Sequence, residues 1–155
     1  MQKQLLALIA ILALAPSAHA SSVYFGVRSS NLILVGAQFG QDIEQADQGF
    51  GWRISVDSFY LILANVVSAD VYWRTPIGRG SSLYYGAGAF GIFDLISKNT
   101  SYGLGMLLGA EFALNPHFGI FLEARPALTF PSYKSTSSNP VNFGFGFSFG
   151  GNFRF

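Results

Sequence analysis

The chain has 155 residues, 9 basic and 8 acidic side chains, and no cysteine. That length bounds it to one domain, the even charge balance argues against a nucleic-acid surface, and the lack of Cys excludes disulfides and thiolate metal sites. Phe and Gly are abundant instead, at 16 and 18 residues, and alternation of glycine with aromatics along strands is typical of barrels.

The first twenty residues read as an export signal. Lys3 gives a short positive region, Leu5 to Ala15 is an unbroken apolar run, and Ala18-His19-Ala20 is a small-x-small cleavage site followed by Ser21-Ser22. This is the three-part layout of a secretory signal peptide. The expected division is therefore a signal peptide over 1–20 and one domain over 21–155. No later segment offers the run of about 20 apolar residues that a membrane helix needs. A membrane location then requires a closed β-barrel, because only helices and barrels satisfy their backbone in lipid.

Beyond the signal, period-2 alternation recurs and helical periodicity does not. Eight strands are expected. The first, near Ser22–Ser29, turns Val23, Phe25 and Val27 to one face and Tyr24, Gly26 and Arg28 to the other. The second, near Leu32–Gly40, alternates Ile33, Val35, Ala37 and Phe39 against Gln38. The third, near Gly49–Asp57, sets Phe50, Trp52, Ile54 and Val56 against Arg53, Ser55 and Asp57. Phe59–Val67 then breaks the pattern, being apolar on both faces; it fits a strand extension, an apolar outer loop or a segment folded against the rim. The fourth strand ends near Thr75, with Ala69, Val71 and Trp73 opposed to Asp70, Tyr72 and Arg74. The fifth, near Ser82–Ile92, has small residues on both parities, with Gly86 and Gly88 on the polar one. The sixth (Ser101–Ala113) and seventh (Phe118–Thr129) carry Tyr102, Leu104, Met106, Leu108, Ala110, Phe112, Phe118, Ile120, Leu122 and Ala124 on their apolar faces. Inward glycines make room for the large Arg and Tyr side chains opposite them.

The last strand is the plainest. From Val141 to the end, Phe143, Phe145, Phe147, Phe149, Phe153 and Phe155 share one parity, and Asn142, Gly144, Gly146, Ser148, Gly150, Asn152 and Arg154 share the other. Such a strand, ending the chain on a bulky aromatic, suits an apolar face that meets lipid. It resembles the C-terminal insertion signal of bacterial outer-membrane barrels, with Ser148, Gly150, Phe153 and Phe155 in register.

The charges follow the same division. Arg28, Arg53, Asp57, Asp70, Arg74, Glu111, Glu123, Arg125 and Arg154 all fall within strands on the polar parity. Asp42, Glu44, Asp47, Arg79, Asp94, Lys98 and Lys134 are assigned to connections. A basic side chain on the lipid face near the midplane costs about 2–4 kcal/mol, so the polar parity is expected to face the lumen. Both chain ends are placed on the periplasmic side. Gln41–Gln48, Thr75–Gly80 and Leu114–His117 are then inner turns, and Ser29–Asn31, Phe93–Thr100 and Pro131–Pro140 outer loops. Trp52, Trp73, Tyr102 and Tyr133 are candidates for interfacial girdles.

Over its whole mature length the pattern is similar to the OmpA/OmpX type of small eight-stranded outer-membrane barrel. That resemblance implies an all-β, antiparallel, up-and-down transmembrane barrel in the outer membrane of a diderm bacterium. It implies outer-membrane lipids and the barrel-assembly machinery as partners, with another envelope protein as a further candidate. An eight-stranded lumen is just wide enough for side chains to fill, so the nine inward charges are expected to form a paired network. A polar ligand site or narrow ion path, best centred on Glu111, Glu123 and Arg125, is the alternative. Catalytic chemistry is poorly provided for. His117, the one histidine beyond the signal, lies in an expected inner turn, and no Ser-His-carboxylate set or metal cluster forms around it. No cofactor is expected. The leading reading is a structural or surface-interaction barrel, ahead of a conduit for small or apolar molecules and of a lipid-modifying enzyme.

Overall fold

The computed structural model describes residues 21–31, 34–45, 48–59, 64–78, 80–94, 100–131 and 141–155. The expected signal peptide lies outside the described residues, as do Ile33, Asp47, Arg79, Lys98, Tyr133 and Lys134. Eight strands follow one another: β1 (Ser21–Ser30), β2 (Leu34–Gln45), β3 (Gln48–Phe59), β4 (Ala64–Gly78), β5 (Ser81–Asp94), β6 (Thr100–Asn115), β7 (Phe118–Pro131) and β8 (Asn142–Arg154). Each pairs antiparallel with its sequence neighbour, and β1 pairs with β8, so the sheet closes into an up-and-down barrel. Closure removes the edges that an open sheet would expose. At the seam Tyr24 faces Arg154, and the Phe155 amide donates to the Val23 carbonyl at 3.0 Å.

The strands run further than alternation alone marks. β2 continues through Gln41–Gln45, and Gln45 pairs with Gln48, so the expected long inner turn at Gln41–Gln48 contracts to 46–47. Asp42 and Glu44 therefore belong to a strand and not to a connection. The turn expected over Thr75–Gly80 tightens in the same way. Pro76 and Ile77 stay in β4 across a bulge, and Gly78 and Gly80 take positive φ on either side of residue 79. Such φ values favour glycine, whose missing Cβ removes the clash. Phe93 and Asp94 end β5 instead of opening a loop. The doubly apolar Phe59–Val67 is in part strand extension: Phe59 ends β3 and pairs with Ala64, which opens β4, while 60–63 lie outside the described residues. Leu114–His117 forms an inner hairpin, and the exposed His117 ring lies 3.3 Å from the Arg154 carbonyl.

Faces are sorted as the period-2 pattern requires. Phe25, Phe39, Val71, Trp73, Leu104, Met106, Leu108, Leu122, Phe143, Phe145 and Phe147 are exposed on the outside. Tyr24, Tyr72, Tyr84, Arg28, Arg53, Asp57, Asp70, Glu111 and Glu123 are buried on the inside. A barrel apolar outside and charged inside is the inverse of a water-soluble one. Its outer wall is matched to hydrocarbon. Toward the end that carries the termini, Phe50 packs edge-on to Trp73, which stacks on Tyr85, and Phe39 meets Trp52. This aromatic band includes two of the girdle candidates. Tyr102 lies exposed near the opposite end.

Inside, three tyrosines each lie directly across a strand pair from a glycine: Tyr24 from Gly40, Tyr72 from Gly51 and Tyr84 from Gly109. A Cβ at Gly40 would sit 2.6 Å from the Tyr24 ring, and at Gly51 and Gly109 it would strike Tyr72 and Tyr84. The rings cover the bare backbone of the neighbouring strand and fill the lumen at mid-height. Tyr72, Tyr84 and Leu107 form its one buried apolar cluster among the described residues.

Two substitutions test this arrangement. Gly109→Ala should lower the stability of the barrel in lipid vesicles by about 1–3 kcal/mol through overpacking against Tyr84. Leu108→Arg, on the lipid face, should cost about 2–4 kcal/mol. Urea unfolding of both variants provides the check, and full wild-type stability of Leu108→Arg would show the β6 faces to be reversed.

Candidate functional site: the charged lumen and its outer cavity

All nine strand charges picked out by alternation point into the lumen, and Asp42 joins them. Ion pairing arranges these ten groups, five Arg and five carboxylates, in two tiers. The inner tier lies toward the termini. There Asp42 and Glu111 are shared between Arg74 and Arg154: Arg74 Nη1 lies 3.2 Å from Asp42, Arg154 Nη2 lies 3.2 Å from it, and both guanidiniums also bond Glu111. The outer tier holds the other six. Arg53 bridges Asp70 at 2.9 Å and Glu123, Arg125 reaches the same two carboxylates at 2.7 and 3.2 Å, and Arg28 lies 3.1 Å from Asp57. Each tier is formally neutral.

Neutral groups extend the bonding, while Asp57 Oδ1, Asp70 Oδ1, Arg74 Nε and Arg125 Nε have no hydrogen-bond partner among the described residues. Tyr72 donates to Asp42 at 2.6 Å, and the Tyr24 and Tyr72 hydroxyls are 2.8 Å apart. Tyr84 donates to Glu123 at 3.2 Å. Arg28 donates to the hydroxyls of Ser30, Ser55 and Ser148 at 3.0 to 3.2 Å. Gln38 donates to Asn152, whose own amide donates to Glu111. This density is what burial demands: an unpaired ion inside would cost several kcal/mol, and pairing offsets it only when the remaining lone pairs and protons are also satisfied.

Glu111, Glu123 and Arg125 do not come together as one centre. Glu123 and Arg125 meet in the outer tier, whereas Glu111 belongs to the inner one. Asp42 completes the inner tier and was assigned to a turn on sequence grounds, because the β2–β3 hairpin was taken to begin before it. Its even numbering continued the inward parity of Gln38 and Gly40, and that was the available signal.

Between the tiers, space is scarce. The gap bounded by Tyr24, Arg53, Tyr72, Arg74, Tyr84, Glu111 and Asn152 has a volume of about 10 Å³, no more than one water occupies. Above the outer tier the lumen widens into a cavity of about 230 Å³. Arg28, Asp57 and Arg125 form its floor, and Leu34, Val66, Phe90 and Ile92 line its wall.

Of the terminal-strand residues, Ser148 is buried against Arg28 and Ser30. Gly150 lies under Phe121, whose ring is 2.9 Å from where its Cβ would be. Internal packing thus accounts for these two. Phe153 and Phe155 are exposed, at 48% and 83%, and Phe153 touches Phe118.

No family model matches the chain, and no curated protein sequence does. Similar folds are found among solved structures. The attachment invasion locus protein Ail of Yersinia pestis, in complex with the heparin analogue sucrose octasulfate, superposes with a TM-score of 0.51 at 19% identity. A further crystal structure of Ail gives 0.50 at 17%; both cover 87% of this chain and 97% of Ail. Neisserial surface protein A gives 0.49 at 17%. The chain therefore has the fold of the small eight-stranded outer-membrane barrels, and at these identities the likeness is one of fold.

Removing one shared carboxylate leaves two guanidiniums to share a single carboxylate in either tier. Glu123→Ala and Glu111→Ala should each destabilise the barrel by about 3–5 kcal/mol, the range for breaking a buried pair. Glu123→Gln should cost less than Glu123→Ala because the amide oxygen still accepts. Unfolding midpoints in vesicles distinguish the three variants, and a Glu123→Ala barrel as stable as wild type would remove the case for a paired network.

Proposed function

We propose that the protein is an integral barrel of the bacterial outer membrane, delivered by a cleaved signal over residues 1–20. It acts there by structural support or surface interaction and not by transport or catalysis. The observation that carries this reading is the neutral two-tier network closing the lumen. The volume of about 10 Å³ between the tiers supports an axis closed to solutes larger than water. With the wall facing lipid and the axis closed, interaction falls to the segments around the outer rim, and loops on a rigid scaffold are where binding function concentrates. Ail, named for attachment and invasion, is built on the same fold, which agrees with an interaction role. The segments we assign to partner contact are Phe93–Thr100 and Pro131–Pro140, with Phe59–Val67 as a further apolar contact for a neighbouring envelope protein.

Catalysis has little support. His117 sits in the inner hairpin beside Asn115, whose side chain accepts from its amide at 2.9 Å. It is at the opposite end of the barrel from the outer cavity. Lipid-modifying chemistry at the outer surface would need its acid–base group at the other rim.

Insertion is assigned to the terminal signal. Because Ser148 and Gly150 are already held by internal packing, the exposed Phe153 and Phe155 are the residues we assign to recognition by the assembly machinery. Deleting Phe155 should reduce the heat-modifiable, membrane-inserted form, and loss of both aromatics should reduce it further; normal assembly of the doubly altered chain would sink the assignment. For the function itself, purified protein in planar bilayers should carry no stable single-channel current and should neither hydrolyse nor transfer lipid acyl chains. A reproducible current with small solutes would favour the conduit, and acyl turnover lost in His117→Ala would favour the enzyme.

A further inference from the structure

The lumen does not keep one character along its length. In the inner and middle parts its inward side chains are mostly charged, amide, hydroxyl or tyrosine, with Leu107 and Phe121 as fully buried exceptions. In the outer third, inward positions on three strands become aliphatic or aromatic: Leu34 on β2, Val66 on β4, and Phe90 and Ile92 on β5. These side chains wall the 230 Å³ cavity and are only partly covered. The same change explains why sequence around Val66 is apolar on both faces. Its odd neighbour Val67 faces lipid, and Val66 itself faces the cavity. Exposed apolar surface inside a lumen has no structural use unless something covers it, since its exposure to water is unfavourable.

The cavity floor is distinctive as well. Arg125 is held by Asp70 and Glu123 through Nη2, and its Nε is buried without a hydrogen-bond partner among the described residues. Its side chain keeps 13% exposure, against 3% for Arg28 and Arg53. Gly146 faces it across β7 and β8 and has no side chain to cover it. Arg125 is therefore the least covered guanidinium of the outer tier, and it lies at the base of a cavity with one apolar wall.

We propose that this cavity is a binding site for a short-chain amphiphile with a carboxylate head: the head accepts from Arg125 and the aliphatic chain lies against Leu34, Val66, Phe90 and Ile92. A carboxylate suits a partly open guanidinium, because a charge-assisted hydrogen bond is stronger than a neutral one. An ammonium head would meet like charge there. The volume lies below the roughly 300–1,000 Å³ of pockets for drug-sized ligands, which favours a short chain over a full-length lipid tail. The site lies on the outer side of the charged tiers and needs no passage through them, so it is compatible with a closed axis.

The test uses the mature barrel in lipid nanodiscs, titrated calorimetrically with octanoate and with octylammonium, against empty nanodiscs for partitioning. Octanoate should bind saturably and octylammonium should not. Arg125→Gln should weaken octanoate binding by about tenfold to a hundredfold, the scale of a lost charged hydrogen bond. That variant also strips a partner from Asp70 and Glu123, so the decisive one is Gly144→Phe. Gly144 lines the cavity, and a Cβ there meets nothing within 4 Å. The new ring enters the cavity without disturbing the network, and heat-modifiability confirms that the barrel has formed. Loss of octanoate binding in Gly144→Phe supports the site. Absence of saturable binding to wild type, as when the barrel's own outer segments fill the cavity, overturns it. Equal binding of octylammonium, or unchanged octanoate affinity in Gly144→Phe, overturns it too.

Discussion

Every other feature of this barrel depends on the need to pair charges that have been taken out of water. Backbone ladders join each strand only to its two neighbours. The ion pairs cross the lumen. Arg28 on β1 reaches Asp57 on β3, Arg53 on β3 reaches Glu123 on β7, Arg74 on β4 reaches Asp42 on β2 and Glu111 on β6, and Arg154 on β8 reaches the same two. β5 contributes no ion pair to this set, but its Tyr84 donates to Glu123. All eight strands are therefore tied to the network. Removing a partner from a buried pair is far costlier than the net gain from making one. The network thus acts less as added stability than as a penalty on wrong assemblies. A one-residue slip would carry a strand's charges to the lipid side and its aromatics into the lumen.

The same constraint shapes what the barrel can do. Two neutral tiers with tyrosines between them fill the lumen at mid-height, and the proposed interaction role falls to the outer end. That end is also where the constraint relaxes. Above Arg28 and Arg125 no further ion pair is needed, glycines replace side chains at 144 and 146, and the inward positions of β2, β4 and β5 turn apolar. The polarity gradient thus runs along β2, β4 and β5, from a packed inner end to the cavity.

Much of this was legible because a barrel wall separates two solvents and each strand reports both. Strand number, the facing of Arg53, Glu123 and the Phe series, and the closed-barrel class follow from period 2. Three things did not follow. Asp42 reads as part of a connection because Gln41–Gln48 is mostly polar, and only Ile43 carries the apolar parity there. The Phe59–Val67 region lost its alternation for the opposite reason, since Val66 faces an apolar cavity while Val67 faces lipid. The division of the charges into tiers depends on shear. Glu111 and Glu123 lie on adjacent strands, yet Glu111 faces Phe121 and Glu123 faces Gly109. Two residues' offset along the ladder is enough to send them to different tiers, and no local pattern encodes that offset.

The last strand gathers these demands into thirteen residues. Its odd positions from Phe143 to Phe149, with Phe153, need only be apolar, since they face lipid. Its even positions change with depth. Gly144 and Gly146 leave the cavity open, Ser148 bonds Arg28, Gly150 admits the Phe121 ring, Asn152 links Gln38 to Glu111, and Arg154 closes the inner tier with Asp42 and Glu111. β8 also completes the β1 seam, so the barrel cannot close until this strand is in register. Had the terminal strand been tuned only for recognition during assembly, its inward residues would have been free to vary in kind. Instead Ser148, Gly150, Asn152 and Arg154 are each fixed by what lies at their own depth in the lumen. Register at the seam is thereby specified by the same pairing of charges that closes the axis.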